Sequence, residues 1–378
     1  MKANGRKSVV LIAGHARSLL NFRGRLIQTI AELGHQVAAI APPLDGVSSE
    51  LQKLGAHFIP ITFSRNTVDP FGDLIAYRKI RRALRERHAD VTLSYTIKPI
   101  VLGIPAARRT QVPNRVALIT GLGSAFMGTS LRERLITKGA TILYRNALAN
   151  ASTAIFQNAD DRNDLIARGL VDSAKTVLVP GSGVDLNQFR YLPPPQTNKV
   201  RFTLIARLVW EKGIGEFYQA AKFVRSQRPN TEFQIIGPNE SKRSAVPSET
   251  LEQWRKEGTV EIIPATNDVR PYLADCDVFV LPSYYREGLP RSILEAMATG
   301  RPVITTDAPG CRETVIHETN GFLVPTRDWG ALANAMLHMV DEKSTLSAMG
   351  KASRNIAEST FDVELVNTQM LKALDLDS

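Results

Sequence analysis

Cysteine is scarce: Cys276 and Cys311 are the only two in 378 residues. Their spacing fits no zinc pattern, and two thiols make no disulfide framework, so a reducing, cytoplasmic setting is expected. Long apolar runs are missing as well. The best stretch, near residues 116–127, is broken by Gly121 and Gly123 and falls short of the ~20 residues that span a bilayer. Val9–Ala13 follows Lys2, Arg6 and Lys7 as a signal peptide's core would, but it is too short and no small-residue cleavage site comes after it. It reads as a first buried strand. The loop after it, Gly14-His15-Ala16-Arg17, lacks the second and third glycines of a dinucleotide fingerprint. There is no aspartate-rich metal motif, no repeat and no low-complexity tract, so neither a cofactor nor a metal is expected.

What is present is apolar content sufficient for real cores, 43% of residues, in a chain long enough for two domains. The proline-rich, polar stretch Tyr191–Asn198 has no periodicity and reads as a linker, which divides the chain into residues 1–190 and a second domain opening at 191. Charge divides the same way. Residues 1–190 carry 26 Lys and Arg against 13 Asp and Glu, a net +13, whereas the remainder nets −3. The basic half calls for an anionic partner. No nucleic-acid motif accompanies it, so an anionic membrane surface or lipid phosphate is expected and nucleic acid is not.

Apolar runs alternate with loops and helical patterns throughout, the signature of α/β domains with parallel sheets. In the first half, strands at 9–13, 36–40, 90–95 and 115–119 precede loops that belong on the C-terminal, ligand-facing edge of a sheet. Those loops carry His15, Lys98 before Pro99, and Thr120-Gly121-Leu122-Gly123. His15 is read as a surface histidine or a ligand contact, Lys98 as a surface cation or the partner of an acceptor phosphate, and Thr120, Gly121 and Gly123 as a place for close backbone approach to a sugar. A helix is expected from about Phe22 to Leu33. Leu74, Tyr77, Ile80 and Leu84 recur at helical spacing among Arg78, Lys79, Arg81, Arg82, Arg85 and Arg87, giving a basic amphipathic helix that either packs as a solvated face or docks on anionic headgroups.

The second half is organised around Arg286–Gly300. Pro290 suits a first helical position and Gly300 the left-handed residue after a helix, so Glu287 belongs to a loop and Glu295 to a helix. Together with Gly288, Leu289 and Pro290 they flank a helix N-terminus, where N–H groups and the dipole hold phosphate oxygens. Carboxylates on either side of a diphosphate repel phosphate but accept strongly from sugar hydroxyls, which is the arrangement a sugar nucleotide requires. Arg207 and Lys212, on the loop leaving the strand at 200–205, supply the two cations that a departing diphosphate needs where no metal serves it.

Glu287 and Glu295, set in Leu281-Pro282-Ser283-Tyr284-Tyr285-Arg286-Glu287-Gly288 and followed by Pro302-Val303-Ile304 and Gly321-Phe322-Leu323-Val324, resemble the E-x7-E motif of retaining GT-B glycosyltransferases of family four. Tyr95–Pro99 and Thr120–Gly123 look like the branch that assembles bacterial capsular and lipid-linked polysaccharides. The resemblance implies two Rossmann-like doubly wound domains facing across a cleft, an acceptor domain over 1–190 and a nucleotide-sugar domain over 191–359, with a last helix in 360–378 crossing back to the first. It also implies Arg207 and Lys212 on the leaving diphosphate, Glu287 on the donor sugar, Glu295 on ribose, and the backbone of 263–266 facing the base. The donor is expected to be a UDP-sugar, and the acceptor a polyprenyl-diphosphate-linked glycan at the inner face of the cell membrane. The other readings open at this point are a sugar-nucleotide epimerase of the same fold and a non-catalytic membrane-bound sensor of sugar nucleotides.

Overall fold

In the computed structural model, residues 5–63, 69–123, 131–239 and 244–377 are described, 131–138 and 140 by their backbone alone. They form two compact units, one of residues 1–182 with 363–378 and one of residues 183–362. The first holds a parallel sheet of β1 (Ser8–Ala13), β2 (Gln36–Ala41), β3 (Ala56–Pro60), β4 (Val91–Tyr95), β5 (Asn114–Ile119), β6 (Thr153–Phe156) and β7 (Thr176–Leu178), in the order β3-β2-β1-β4-β5-β6-β7. The second holds β8 (Val200–Ile205), β9 (Thr231–Ile236), β10 (Glu261–Ile263), β11 (Val278–Leu281), β12 (Val303–Thr306) and β13 (Gly321–Val324), in the order β10-β9-β8-β11-β12-β13. Central strands such as Val9–Ala13 and Val278–Leu281 are apolar at every position and buried throughout, because helices cover both faces of a parallel sheet.

Each sheet reverses its strand order once, between β1 and β4 and between β8 and β11. Crossovers leave to opposite faces at such a point, and the loops after its two strands part to open a crevice at the C-terminal edge. His15 and Thr96 follow β1 and β4; Arg207 and Pro282 follow β8 and β11.

Three expectations shift. The proline-rich stretch lies inside the second unit, so the division falls at 182/183 and not at 190/191. Val184 and Phe189 are in that unit's core, Leu192 N–H donates to Thr299 O at 3.0 Å, and the fully buried Arg301 donates to Pro193 O at 3.2 Å. The first helix starts at Ala16, since Leu19, Leu26, Ile27 and Ile30 already form its buried stripe; its extended N-cap, His15, offers no side-chain cap for sequence reasoning to find. Pro290 is the N-cap of helix Arg291–Ala298, one residue outside it, while Gly300 takes the left-handed conformation at φ +84°. Helix Val363–Ala373 belongs to the first unit, burying Val366, Met370 and Leu371 there.

Gly213 brings the β8 and β11 loops together. It adopts φ +74°, and a Cβ on it would lie 2.1 Å from the carbonyl oxygen of Pro282. Gly258 has a similar φ of +66° with nothing within 4 Å of such a Cβ. Gly258→Ala should therefore cost only the left-handed strain, ~1–2 kcal/mol, and Gly213→Ala that amount plus ~1–3 kcal/mol of overpacking. Denaturant midpoints of the two variants measure the difference, and equal losses would mean that the two loops are not in contact.

Candidate active site

In the second unit the chain leaves β8 through half-buried Arg207, makes a 3-10 turn over Trp210–Lys212, and enters helix Ile214–Gln227 at Gly213. The turn delivers the carbonyl of Glu211 to the β11 loop. That oxygen accepts from Tyr284 N–H at 2.9 Å and Tyr285 N–H at 3.1 Å, with Ser283 Oγ 3.1 Å away. The next residue, Lys212, places its ammonium on Glu287 Oε1. Both side chains are nearly withdrawn from water, Lys212 12% and Glu287 13% exposed, and the ammonium lies 6.0 Å from the Tyr285 ring centroid. Burial leaves this pair little screening, so the attraction between its charges is stronger than at the surface, while withdrawing both from water carries an opposing cost.

Behind Glu287, Gly310 takes φ +85° so that its backbone lies against Glu287 and Gly288; a Cβ there would sit 2.3 Å from Gly288 O. Gly310 N–H donates to Glu313 at 2.8 Å, which gives Glu313 a structural part. Buried Cys311 lies near the pair, and burial together with Glu287 pushes its thiol up to about 12, so it stays neutral. Gly288, Leu289 and Pro290 lead directly into helix Arg291–Ala298. One turn on, Glu295 accepts from Arg291 Nε at 2.8 Å, and burial raises its carboxyl above the ordinary glutamate value despite Arg291. Arg207, Lys212, Glu287, Gly288, Leu289, Pro290 and Glu295 thus come from the two loops at the β8/β11 reversal and the helix beyond.

The first unit gathers the other expected residues on three neighbouring strands. Exposed His15 follows β1, and its carbonyl accepts from Ser18 Oγ at 2.6 Å; the same hydroxyl lies 2.9 Å from Tyr95 Oη. After β4, Thr96 stands in the left-handed region at φ +67°, a strained position for a β-branched residue, and caps helix Ile97–Arg109. Lys98 is therefore in a first helical turn and not in the open loop the sequence suggested, 2.8 Å from Asp73. After β5, Thr120 leads to Gly121 at φ +100° and Gly123 at φ +54°, and Leu122 N–H donates to Asp161 at 3.2 Å.

Sequence reasoning gave no role to Ser283 or Asp73. Ser283 stands four residues before Glu287 in a loop, a spacing with no helical meaning, and Asp73 reaches Lys98 from a different helix.

Residues 22–181 match the family model described as "Glycosyl transferase 4-like domain", and residues 199–342 the one described as "Glycosyl transferases group 1". The chain is 28% identical over 371 residues to the N,N'-diacetylbacillosaminyl-diphospho-undecaprenol alpha-1,3-N-acetylgalactosaminyltransferase of Campylobacter jejuni, covering 95% of this chain and 96% of that one. It is 29% identical over 321 residues to the UDP-Gal:alpha-D-GlcNAc-diphosphoundecaprenol alpha-1,3-galactosyltransferase of Escherichia coli, covering 82% and 80%. In fold it is similar to Anabaena Alr3699/HepE, solved in complex with UDP-glucose, with a TM-score of 0.79 at 19% identity over 98% of this chain and all of the other. The chain belongs to the GT-B glycosyltransferases of family four.

Proposed function

We propose that this glycosyltransferase moves a sugar, with retention of configuration, from a nucleoside diphosphate donor to a polyprenyl-diphosphate-linked glycan. The observation that carries the donor half is the ion pair of Lys212 with Glu287, made between the two loops where the second sheet reverses, with Arg207 on the same loop as Lys212. In this reading Arg207, Lys212 and the N-terminus of helix Arg291–Ala298 hold the diphosphate in a fixed positive field that favours its departure. Phosphate oxygens carry more charge than a carboxylate, so the diphosphate draws the Lys212 ammonium from Glu287. Glu287 then accepts from a hydroxyl of the donor sugar, and Glu295 from ribose. Base contacts fall to the backbone of residues 263–266. The bond from the anomeric carbon to the diphosphate oxygen breaks as the acceptor oxygen attacks the same face, and the departing phosphate oxygen takes the acceptor's proton. No side-chain base is required.

A uridine base, as in UDP, is supported by the name of the Escherichia coli relative, a lipid-linked acceptor by the names of both relatives given above, and a place in capsule synthesis by the name of a Staphylococcus aureus relative, a capsular polysaccharide biosynthesis glycosyltransferase; exopolysaccharide and O-antigen synthesis are the alternatives in this reading. On the first unit, His15, Lys98, Thr120, Gly121 and Gly123 are assigned to the acceptor, with Lys98 toward its phosphate. Helix Pro70–Glu86 supports docking at an anionic membrane face. Its core side is Ala76, Ile80, Ala83 and Leu84. Elsewhere it exposes Phe71 (83%), Leu74 (44%) and Ile75 (52%) next to exposed Arg78, Lys79, Arg82 and Arg85. Apolar side chains beside cations suit an interface of acyl chains and headgroups. No helix among the described residues is long and apolar enough to cross a membrane, so in this reading attachment is peripheral, from the cytoplasmic side.

Incubation with a panel of labelled UDP- and GDP-sugars, with and without polyprenyl-diphosphate glycans, tests the activity. The expected result is acceptor-dependent transfer from a UDP-sugar, with the anomeric configuration of the donor kept in the product. Conversion of the sugar nucleotide without acceptor would identify an epimerase, and binding without turnover a sensor.

Replacing Arg78, Arg81, Arg82 and Arg85 by Gln should weaken sedimentation with anionic vesicles, by up to about fivefold per residue at ~1 kcal/mol each. Transfer to a short water-soluble acceptor should persist, and raised salt should imitate the substitutions. Equal vesicle binding by both proteins at low salt would make the helix an ordinary solvated face.

A further inference from the structure

Ser283 is fully buried, and its hydroxyl has more acceptors than hydrogens. It lies 3.1 Å from the carbonyl of Glu211 and 3.2 Å from Glu287 Oε1, while accepting from Tyr285 N–H at 3.2 Å. One O–H can serve one of the two oxygens at a time. The Glu211 carbonyl has two lone pairs and already receives Tyr284 N–H at 2.9 Å and Tyr285 N–H at 3.1 Å. A third bond to it is the easiest to give up. Glu287 Oε1 faces the opposite change, because the ammonium of Lys212 sits on that same oxygen and is the group a diphosphate would attract.

We infer that Ser283 is a positioning residue for Glu287: as Lys212 turns to the departing diphosphate, the Ser283 hydroxyl rotates its hydrogen from Glu211 O to Glu287 Oε1. It holds the carboxylate in the orientation that accepts from the donor sugar. This inference rests on the role proposed above for Glu287. The rotation needs no backbone movement, since both acceptors are already within reach of Oγ. It also accounts for a serine at a fully buried position, where alanine would pack as well and a hydroxyl must be satisfied.

The test compares Ser283→Ala, Ser283→Thr, Glu287→Gln and the Ser283→Ala/Glu287→Gln pair in the full chain, by steady-state transfer and by calorimetric titration with UDP. Losing a hydrogen bond to a charged acceptor should lower kcat of Ser283→Ala on the order of tenfold to a hundredfold. UDP affinity should fall less than kcat, because UDP frees Glu287 from Lys212 but lacks the sugar hydroxyl that the oriented carboxylate serves. Ser283→Thr, which keeps the hydroxyl, should recover most of the loss, and Ser283→Ala should have no further effect in the Glu287→Gln background. Ser283→Cys, close in volume with a weak donor, replaces the alanine variant should alanine lower the melting temperature, and it too should lose kcat. Wild-type kcat without the hydroxyl, losses that multiply in the double variant, or a UDP affinity that falls by as much as kcat would each overturn the inference. Wild-type kcat in Glu287→Gln would instead remove the underlying role of Glu287.

Discussion

The arrangement of the second unit depends on the ion pair between Lys212 and Glu287. A buried lysine and a buried glutamate are each costly alone, and removing either partner leaves a charge with little solvent to stabilise it. The pair holds because the backbone brings its ends together. Glu211 O ties the β8 turn to Tyr284 and Tyr285, Gly213 lets that turn lie on Pro282, and Gly310 backs Glu287 from the other side. Such a pair is a weak source of net stability and a strong constraint on geometry. It fixes a cation and a carboxylate at the point where the strand order reverses, which is where a parallel sheet presents ligands.

That constraint explains what the sequence could and could not reveal. Apolar runs at 9–13 and 278–281 mark buried parallel strands because burial on both faces leaves no alternation to confuse the reading, and Val200–Ile205, though Arg201 and Thr203 interrupt it, still stands out by its four apolar residues. The loops after them, and hence Arg207, Lys212 and Glu287, follow by position. Pairing across loops does not follow. Nothing local to Lys98 announces Asp73, and nothing local to Ser283 announces that its hydroxyl is shared between Glu211 and Glu287. Two helices start away from the expected residue for a related reason. His15 and Pro290 are N-caps without a capping side chain, so their helices lack the usual opening signal. Tyr191–Pro193 reads as linker by composition, yet it is bonded to Thr299 and Arg301, more than a hundred residues later.

In the proposed reading the two units divide the chemistry as they divide the charge. The basic first unit carries the left-handed Thr96, the ion-paired Lys98 and the glycine turn 120–123 on adjacent strands; the second carries the carboxylates and cations assigned to the donor. Burial raises the Glu295 carboxyl above the ordinary glutamate value, and Arg291, 2.8 Å away, opposes that shift.

The central claim is that a nucleoside diphosphate takes Lys212 from Glu287. A crystal structure of the protein with UDP bound tests it most directly. The account predicts diphosphate oxygens within hydrogen-bond distance of both Lys212 Nζ and Arg207, with Glu287 Oε1 released from Lys212. A complex in which UDP is bound and Lys212 still lies on Glu287 would contradict it.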